Sequence, residues 1–305
     1  MENLRLFSFS SHKEIIMSDD QLRQRIQMIM PDLDIKHLEH NREGLINDIV
    51  IINHELVFRF AKNDGYAQIL NLELDILDLV RPRVDLPVPS PVYRGPGSVV
   101  YPLLEGLALR RETLLNMDAA TREKVAAQLG MFLHNLHTTP IGDLDWNLPT
   151  TLAPVTKKKW VEIRSRVEEK VFPLLLNHQV AWAENLFNRA LEDPNTFEYT
   201  PALIHADLAP YHILFDRKKD QVTGVLDFGV AGIGDPALDL GTLISSYGES
   251  FIRQFSPFYP GLEAHMERAR FYAQAIELQW VLLGIETGDT FWFTAHLGSA
   301  RDILG

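Results

Sequence analysis

The segment of residues 205–229 reads HADLAPYHILFDRKKDQVTGVLDFG and places two aspartates, Asp207 and Asp227, 20 residues apart. Three short apolar runs, at 202–205, 212–215 and 222–226, predict β-strands separated by a polar loop and a turn. Each aspartate stands where a predicted strand gives way to a loop. Carboxylates at such positions face a cleft at the edge of a sheet, so the segment predicts a reactive site.

Two carboxylates of this kind suit phosphoryl transfer. One carboxylate orients or deprotonates the attacking hydroxyl, and others hold Mg²⁺ on the phosphates. Asp207 fits the first role and Asp227 the second. Either aspartate alone is equally well explained as a turn or cap residue, and the pair is what favours a site. His205 is either a polar residue at a strand end or a hydrogen-bonded tie for the loop.

The rest of the chain predicts an α+β fold with two lobes. A capping box at Ser18 opens a helix that Pro31 ends, and a hairpin at Asn53-His54 joins two β-rich runs. The predicted strands outside the reactive segment are 48–52, 55–61 and 98–104. The predicted helices are 19–30, 67–80, 121–137, 160–176, 180–191, 235–243 and 263–284. We predict a small N-lobe with an antiparallel sheet over residues 1–104, a hinge at Glu105-Gly106, and a mainly helical C-lobe over residues 105–305.

Composition narrows the class of protein. The 305 residues include no cysteine, which excludes disulfides. Their formal net charge is −12, which argues against a nucleic-acid partner. No stretch approaches 18 apolar residues, so we expect no membrane span and a cytoplasmic protein. Residues 1–17 are a candidate extension, with Met17 as an alternative start. The acidity favours a cationic ligand, although it equally serves solubility.

Three motifs carry a resemblance to a known family. The run at 205–212, the Asp-Phe-Gly at 227–229 and the GDPALDL run at 234–240 closely resemble the aminoglycoside phosphotransferase family, which has the protein-kinase-like two-lobed fold. The resemblance spans about residues 38–305. It implies a Mg²⁺-dependent small-molecule kinase that uses ATP or GTP, with Asp207 as catalytic base and Asp227 and His212 as metal ligands.

Position 212 departs from the commoner pattern of the family, which has Asn there. Mg²⁺ ordinarily prefers oxygen ligands to imidazole nitrogen. The aminoglycoside 2''-phosphotransferases and macrolide phosphotransferases look like this chain, with His at the corresponding place. His212 therefore favours these two groups within the family. The alternative is that His212 is an ordinary loop histidine.

In the N-lobe, the resemblance implies nucleotide-binding residues. Arg59 stands on the strand that normally presents a phosphate-contacting Lys, and Glu73 on the following helix stands where its ion-pair partner would be. An Arg clamps phosphate differently from a Lys, and a solvated strand arginine is the alternative. The turn at 42–48, which includes Asn47, occupies the place of the phosphate-covering loop. Tyr101 and Leu103 lie in the stretch expected to bind the nucleobase through backbone groups.

Two further residues concern the substrate. Trp292 lies where related antibiotic kinases present an aromatic residue, with core packing as the alternative. Val230 follows Asp-Phe-Gly directly, where the related 2''-phosphotransferases are expected to carry an acid that pairs with an aminoglycoside ammonium group. An antibiotic-resistance enzyme of the aminoglycoside type is the default implied by the resemblance. A macrolide kinase, a small-metabolite kinase and a nucleotide-binding pseudokinase remain alternatives, and the intact Asp207 and Asp227 count against the last.

Overall fold

The computed structural model of the chain describes residues 17–41, 46–142 and 148–288. The chain divides into two compact units, Met1–Leu77 with Pro89–Leu104, and Asp78–Val88 with Glu105–Gly305. The sequence-based division assigned residues 78–88 to the N-lobe, whereas their contacts are with the second unit. None of the helices in the described ranges combines the length and apolar character that a bilayer span requires.

The first unit is built on a five-stranded antiparallel sheet in the order β1-β2-β3-β5-β4. The strands are β1 (Leu38–Asn41), β2 (Asn47–Ile52), β3 (Leu56–Ala61), β4 (Tyr93–Gly95) and β5 (Ser98–Pro102). Helix α1 (Asp19–Ile29) precedes them, and α2 (Asp64–Val80) follows β3. The predicted capping box is confirmed, because Ser18 and Gln21 exchange side-chain hydrogen bonds with each other's backbone amides.

The core of the first unit lies between α1 and one face of this sheet. Leu22 and Ile26, four residues apart on α1, are fully buried against side chains of β2, β3 and β5, among them Phe58 and Phe60. The Arg25 guanidinium lies 4.5 Å from the Phe60 ring centroid and covers the edge of this core. Because of the i, i+4 spacing, Leu22 and Ile26 lie on one apolar face of α1, and this face covers the sheet.

The second unit is mainly helical. Its helices are α3 (Arg111–Leu115), α4 (Ala119–His137), α5 (Lys157–Lys170), α6 (Asn177–Glu192), α7 (Ala237–Tyr247), α8 (Glu249–Arg253) and α9 (Glu263–Thr287). Helices α7 and α9 pack closely at Gly241, where an added Cβ would lie 2.7 Å from Tyr272 Cβ and 2.8 Å from the Ala269 carbonyl. Trp160 of α5 is buried against Phe271, with ring centroids 5.0 Å apart. The core therefore forms around α9.

Short strands hold the reactive segment. The three strands predicted there are confirmed as β7 (Ala202–Ile204), β8 (Ile213–Asp216) and β9 (Gln221–Val225). They belong to two sheets, because β7 pairs with β10 (Gly232–Gly234), whereas β8 lies between β9 and β6 (Leu107–Ala108). The predicted helix 160–176 was too long: α5 ends at Lys170 because Pro173 cannot continue it, and a 3₁₀ turn, Phe172–Leu174, follows.

Candidate active site

The loop after β7 is fixed by His205, which is completely buried. Its Nε2–H donates to the Leu226 carbonyl at 2.9 Å, and its Nδ1 accepts the Asp207 N–H at 3.2 Å. Burial lowers the pKa of His205 to about 4, so the ring is neutral and keeps this tautomer. His205 therefore ties the loop that carries Asp207 to the residue that precedes Asp227.

A second anchor of this loop is Asp239 on α7, which is also fully buried. Its carboxylate accepts the His205 N–H at 2.8 Å and the Ala206 N–H at 2.7 Å, and His137 Nε2 lies 3.0 Å away. Burial opposes ionisation, but these hydrogen bonds lower the pKa of Asp239 below its ordinary value. Ala206 has a φ of +67°, so this carboxylate holds the backbone in a conformation that alanine rarely adopts.

His212 and Asp227 face each other across the site. His212 Nδ1 lies 2.7 Å from the Asp207 carbonyl, which can only accept, so Nδ1 carries a proton. Nε2 then points at Asp227 Oδ2, 3.5 Å away. In a neutral His212 both of these atoms are hydrogen-bond acceptors, and a cation between them would satisfy both. Asp227 itself has a φ of +63°, and its Oδ1 accepts the Gly229 N–H at 3.2 Å.

The Asp207 carboxylate lies next to the same ring, with Oδ2 3.7 Å from His212 Nδ1. Desolvation by the surrounding protein raises the pKa of Asp207 to about 6, His212 opposes this shift, and the charges of Asp227 and Asp239 add to it. A carboxyl group with this pKa is a stronger base than an ordinary aspartate and is still ionised at neutral pH. Asp207 thus has the electrostatic environment of a general base.

Tyr211 is a residue whose position the sequence analysis did not single out. It lies in the 3₁₀ turn Pro210–His212, its ring packs edge-on against His212 at 4.4 Å, and 47% of it remains exposed. Burial of its hydroxyl raises the pKa of Tyr211, and the charges of Asp207 and Asp227 add to this, so the phenol stays protonated. An aromatic surface next to the candidate base is therefore open to solvent.

In the first unit, the predicted pair of Arg59 and Glu73 forms. Arg59 Nη1 and Nη2 donate to the two carboxylate oxygens of Glu73 at 2.6 and 2.9 Å, and both side chains are buried. This bidentate geometry fixes the plane of the guanidinium group. Glu73 of α2 thus holds a cation in place on β3, as the family resemblance implies for the phosphate-contacting strand.

For the other predicted site residues, the structure gives positions and backbone contacts but no contact that assigns a role. Asn47 is buried at the start of β2, and its Oδ1 has no hydrogen-bond partner among the described residues. Tyr101 lies on β5 opposite Val57, and the Leu103 N–H donates to the Glu55 carbonyl at 2.7 Å. The Val230 carbonyl accepts a hydrogen bond from Thr151 Oγ1 at 2.7 Å, which fixes the backbone after Asp-Phe-Gly. Trp292 lies outside the described residues, as does most of the turn at 42–48.

Comparison with known proteins identifies the class. The sequence model of the phosphotransferase enzyme family matches residues 37–272, which is most of the chain. The chain belongs to this family. Viomycin phosphotransferase of Streptomyces vinaceus is 28% identical over 221 residues, which cover 69% of this chain and 74% of that protein. This chain is therefore a phosphotransferase enzyme, the class that the resemblance of its motifs implied.

Solved structures confirm the fold of the phosphotransferase. The GDP and kanamycin complex of APH(2'')-IIIa is 29% identical to it with a TM-score of 0.77, over 90% of this chain and 94% of that one. Macrolide 2'-phosphotransferase type I is 19% identical with a TM-score of 0.67, over 93% of this chain and 99% of that one, and this likeness shows the fold alone. The predicted α+β, protein-kinase-like fold is confirmed.

Proposed function

We propose that this phosphotransferase transfers the γ-phosphate of ATP or GTP to a hydroxyl group of an antibiotic, with Asp207 as the base. The observation that carries this proposal is the convergence of Asp207, His212 and Asp227 on one buried, hydrogen-bonded frame made by His205 and Asp239. The relatives named for viomycin and aminoglycosides support an antibiotic acceptor. Because nucleotide donors are abundant in the cytoplasm, we place the reaction there.

In this mechanism Asp207 accepts the proton of the acceptor hydroxyl as the hydroxyl oxygen attacks the γ-phosphorus. The bond from the γ-phosphorus to the bridging oxygen of the β-phosphate breaks, and ADP or GDP leaves. The His205 and Asp239 hydrogen bonds keep the loop rigid, so the carboxylate does not need to reorganise. Tyr211 offers an aromatic face on which the acceptor lies next to that carboxylate. We assign phosphate contacts to Arg59, which Glu73 orients, and backbone contacts to the nucleobase to residues 101–103.

The donor set fits a divalent cation. Asp227 supplies a carboxylate oxygen, and the Nδ1–H of His212 is already bonded to a carbonyl, which leaves Nε2 free to act as a ligand directly or through water. Bound Mg²⁺ would neutralise the developing charge on the phosphates. Asp227 and His212 would therefore hold the metal, and Asp207 would act on the acceptor.

We expect Asp227→Ala to weaken binding of Mg²⁺·nucleotide much more than binding of free nucleotide. The variant lacks the carboxylate that would hold the metal, and Asp227 is assigned no direct contact with the phosphates. His212→Asn should keep most of the Mg²⁺ dependence, because the amide oxygen replaces the ring nitrogen with a ligand that Mg²⁺ prefers. Isothermal titration calorimetry with and without Mg²⁺ measures both. Equal nucleotide affinity under the two conditions, together with no effect of Asp227→Ala, would refute the metal assignment.

The acceptor class depends on Val230. An aminoglycoside carries several ammonium groups, and a carboxylate after Asp-Phe-Gly would pair with one of them. Val230 offers no charge at this point, and its backbone is held by Thr151. We therefore propose that the wild-type enzyme binds polycationic aminoglycosides more weakly than a relative with an acid there.

We expect Val230→Asp to lower KM for a kanamycin-like aminoglycoside about 10- to 100-fold, since a charge-assisted contact contributes about 1.5–3 kcal/mol. Val230→Asn is the matched neutral control and should leave KM near the wild-type value. The gain should shrink at high ionic strength. A micromolar, salt-sensitive KM in the wild type would contradict this prediction.

The proposed function is tested by measuring nucleotide consumption with aminoglycosides, viomycin, macrolides and small hydroxylated metabolites as acceptors. Antibiotic-stimulated turnover is the expected result. Turnover stimulated only by metabolites would replace the antibiotic acceptor with a metabolite. Tight nucleotide binding without turnover on any acceptor would favour the pseudokinase alternative.

A further inference from the structure

A cluster of two imidazoles and a carboxylate lies in the first unit, on residues that the phosphotransfer reaction does not use. His37, Glu39 and His54 place one ligand atom each within 4.8 Å of one another. The His37 and His54 rings are stacked, with centroids 4.2 Å apart and planes inclined by 27°. All three side chains are exposed, so a metal ion could reach them from solvent.

The topology of the sheet brings these residues together. Strands β1 and β2 are antiparallel, with Leu38 opposite Ile52 and Glu39 opposite Ile51. His37 directly precedes β1, and since side chains alternate along an extended backbone, His37 and Glu39 point to the same side. The next residues after β2 form the turn that carries His54, so this turn lies beside the start of β1.

The backbone at the cluster is fixed by Asn53. Its Oδ1 accepts the N–H groups of Lys36 and His37, both at 2.9 Å, and its Nδ2 donates to the Asp34 carbonyl at 2.8 Å. Its own N–H donates to the His37 carbonyl at 3.0 Å. Four hydrogen bonds from one residue therefore lock the segment that carries His37 to the turn that carries His54. Only side-chain rotations remain for the ligands to meet around an ion.

The turn itself is unusual in its sequence. Asn53 and His54 have φ values of +54° and +56°, the pattern of a type I′ turn over residues 52–55, in which Asn-Gly is preferred. The Glu55 N–H closes this turn on the Ile52 carbonyl at 2.9 Å, and residues 53–55 form the loop between β2 and β3. Histidine at the second position is strained compared with glycine. The residue at this position is nevertheless a histidine, and its ring stacks on the ring of His37.

The donor set indicates which ions would bind. Two imidazole nitrogens and one carboxylate oxygen, with a fourth position open to water, form a ligand set that Zn²⁺ accepts. Ligand bonds of about 2.0–2.1 Å in a tetrahedron place neighbouring ligand atoms about 3.3 Å apart, which is reached from 4.8 Å by small rotations of exposed side chains. Within the ranges 17–41, 46–142 and 148–288, the Glu39 side chain makes no ion pair or hydrogen bond. The nearby cation Lys36 is paired with Asp34 instead, with Nζ 3.7 Å from Oδ2.

We propose that His37, Glu39 and His54 form a binding site for a Zn²⁺-like transition-metal ion that cross-links the start of β1 to the β2–β3 turn. The site uses none of the residues of the candidate active site, whose proposed metal ligands are Asp227 and His212 of the second unit. Its occupancy stabilises the first unit, because the ion binds an arrangement that exists only when the hairpin is folded.

The test uses the full chain without an affinity tag, titrated with Zn²⁺ by calorimetry and with Co²⁺ by visible absorption, in excess Mg²⁺. His54→Gly removes one ligand and creates Asn-Gly, the favoured type I′ sequence, so the hairpin folds at least as well. We expect one high-affinity ion per wild-type chain and a loss of affinity of at least about tenfold in His54→Gly and in Glu39→Gln, since even outer-sphere changes cost about 10- to 100-fold.

His178→Ala is the matched control, because His178 is an exposed histidine on α6 of the second unit. It should leave the titration unchanged, and the site should persist in Asp227→Ala, whatever happens to phosphotransfer in that variant. Zn²⁺ should raise Tm in the wild type and not in His54→Gly. Zn²⁺ binding of equal affinity in wild type and His54→Gly, or no stoichiometric binding in the wild type, would overturn the proposal.

Discussion

Asp207→Asn is expected to lower kcat by about 10²- to 10⁴-fold, the range that a positioned general base contributes. The amide cannot accept the acceptor proton, and the surrounding His205 and Asp239 hydrogen bonds involve other groups. The nucleotide affinity should stay close to the wild-type value. Steady-state kinetics with the best acceptor, together with calorimetry for the nucleotide, measure both quantities.

The same substitution should not unfold the protein. The pKa of Asp207 is raised to about 6 in the folded state, above its ordinary value of 3.8, so the folded state holds the proton more tightly. The contribution of this group to stability therefore falls as pH rises from about 4 to 6, and a neutral amide removes that cost. We expect Tm at pH 7 to be equal to or above that of the wild type. Asp78→Asn, on the exposed pair with Arg81, is the matched control. Wild-type kcat in Asp207→Asn would remove Asp207 from the mechanism.

Asp239→Asn is expected to destabilise the second unit by about 3–5 kcal/mol, the cost of removing one partner from a buried charged network. The carboxylate accepts two backbone N–H groups and lies 3.0 Å from His137 Nε2. An asparagine side chain has one acceptor oxygen and turns its NH₂ group towards the remaining donors. Urea denaturation followed by fluorescence measures the change in the free energy of unfolding.

The pH dependence distinguishes this charge effect from simple loss of packing. The folded-state pKa of Asp239 is lowered, so its stabilisation is present above the ordinary pKa near 3.8 and is lost as pH falls through the folded-state value. The difference between wild type and Asp239→Asn should therefore narrow in acid. Asp20→Asn, at an exposed position on α1, should change stability by no more than about 0.5 kcal/mol. A loss below about 1 kcal/mol for Asp239→Asn would contradict the anchoring role.

The sequence predicted the elements that have strong local signals. The capping box at Ser18, the hairpin at Asn53-His54 and the strands around Asp207 all follow from side-chain chemistry within a few residues, and the structure has them. The class of enzyme followed from the resemblance of the motifs at 205–212, 227–229 and 234–240 to the aminoglycoside phosphotransferase family, and the pair Asp207 and Asp227 agrees with it. These features depend on neighbours in the chain, which is why one sequence sufficed.

Features that depend on distant parts of the chain were missed. Strand β1, with the mixed sequence LEHN, is recognisable only from its pairing with β2, and β6 and β10 are too short for any periodicity. Asp239 lies in the motif at 234–240, but its hydrogen-bond partners at 137, 205 and 206 are set by tertiary packing and cannot be found from the motif. The exposure of Tyr211 and the meeting of His37, Glu39 and His54 have the same origin.

The central claim, that Asp207 drives transfer of a nucleotide γ-phosphate to an antibiotic hydroxyl, is tested most directly by following the phosphate itself. Wild type and Asp207→Asn are incubated with γ-labelled ATP or GTP, Mg²⁺ and each antibiotic, and the label on the recovered antibiotic is measured by chromatography and mass spectrometry. The account predicts one labelled phosphoryl group on the antibiotic in the wild type and about 10²- to 10⁴-fold slower labelling in Asp207→Asn. Nucleotide that binds the wild type but never labels any antibiotic, or equal labelling rates in the two proteins, would contradict it.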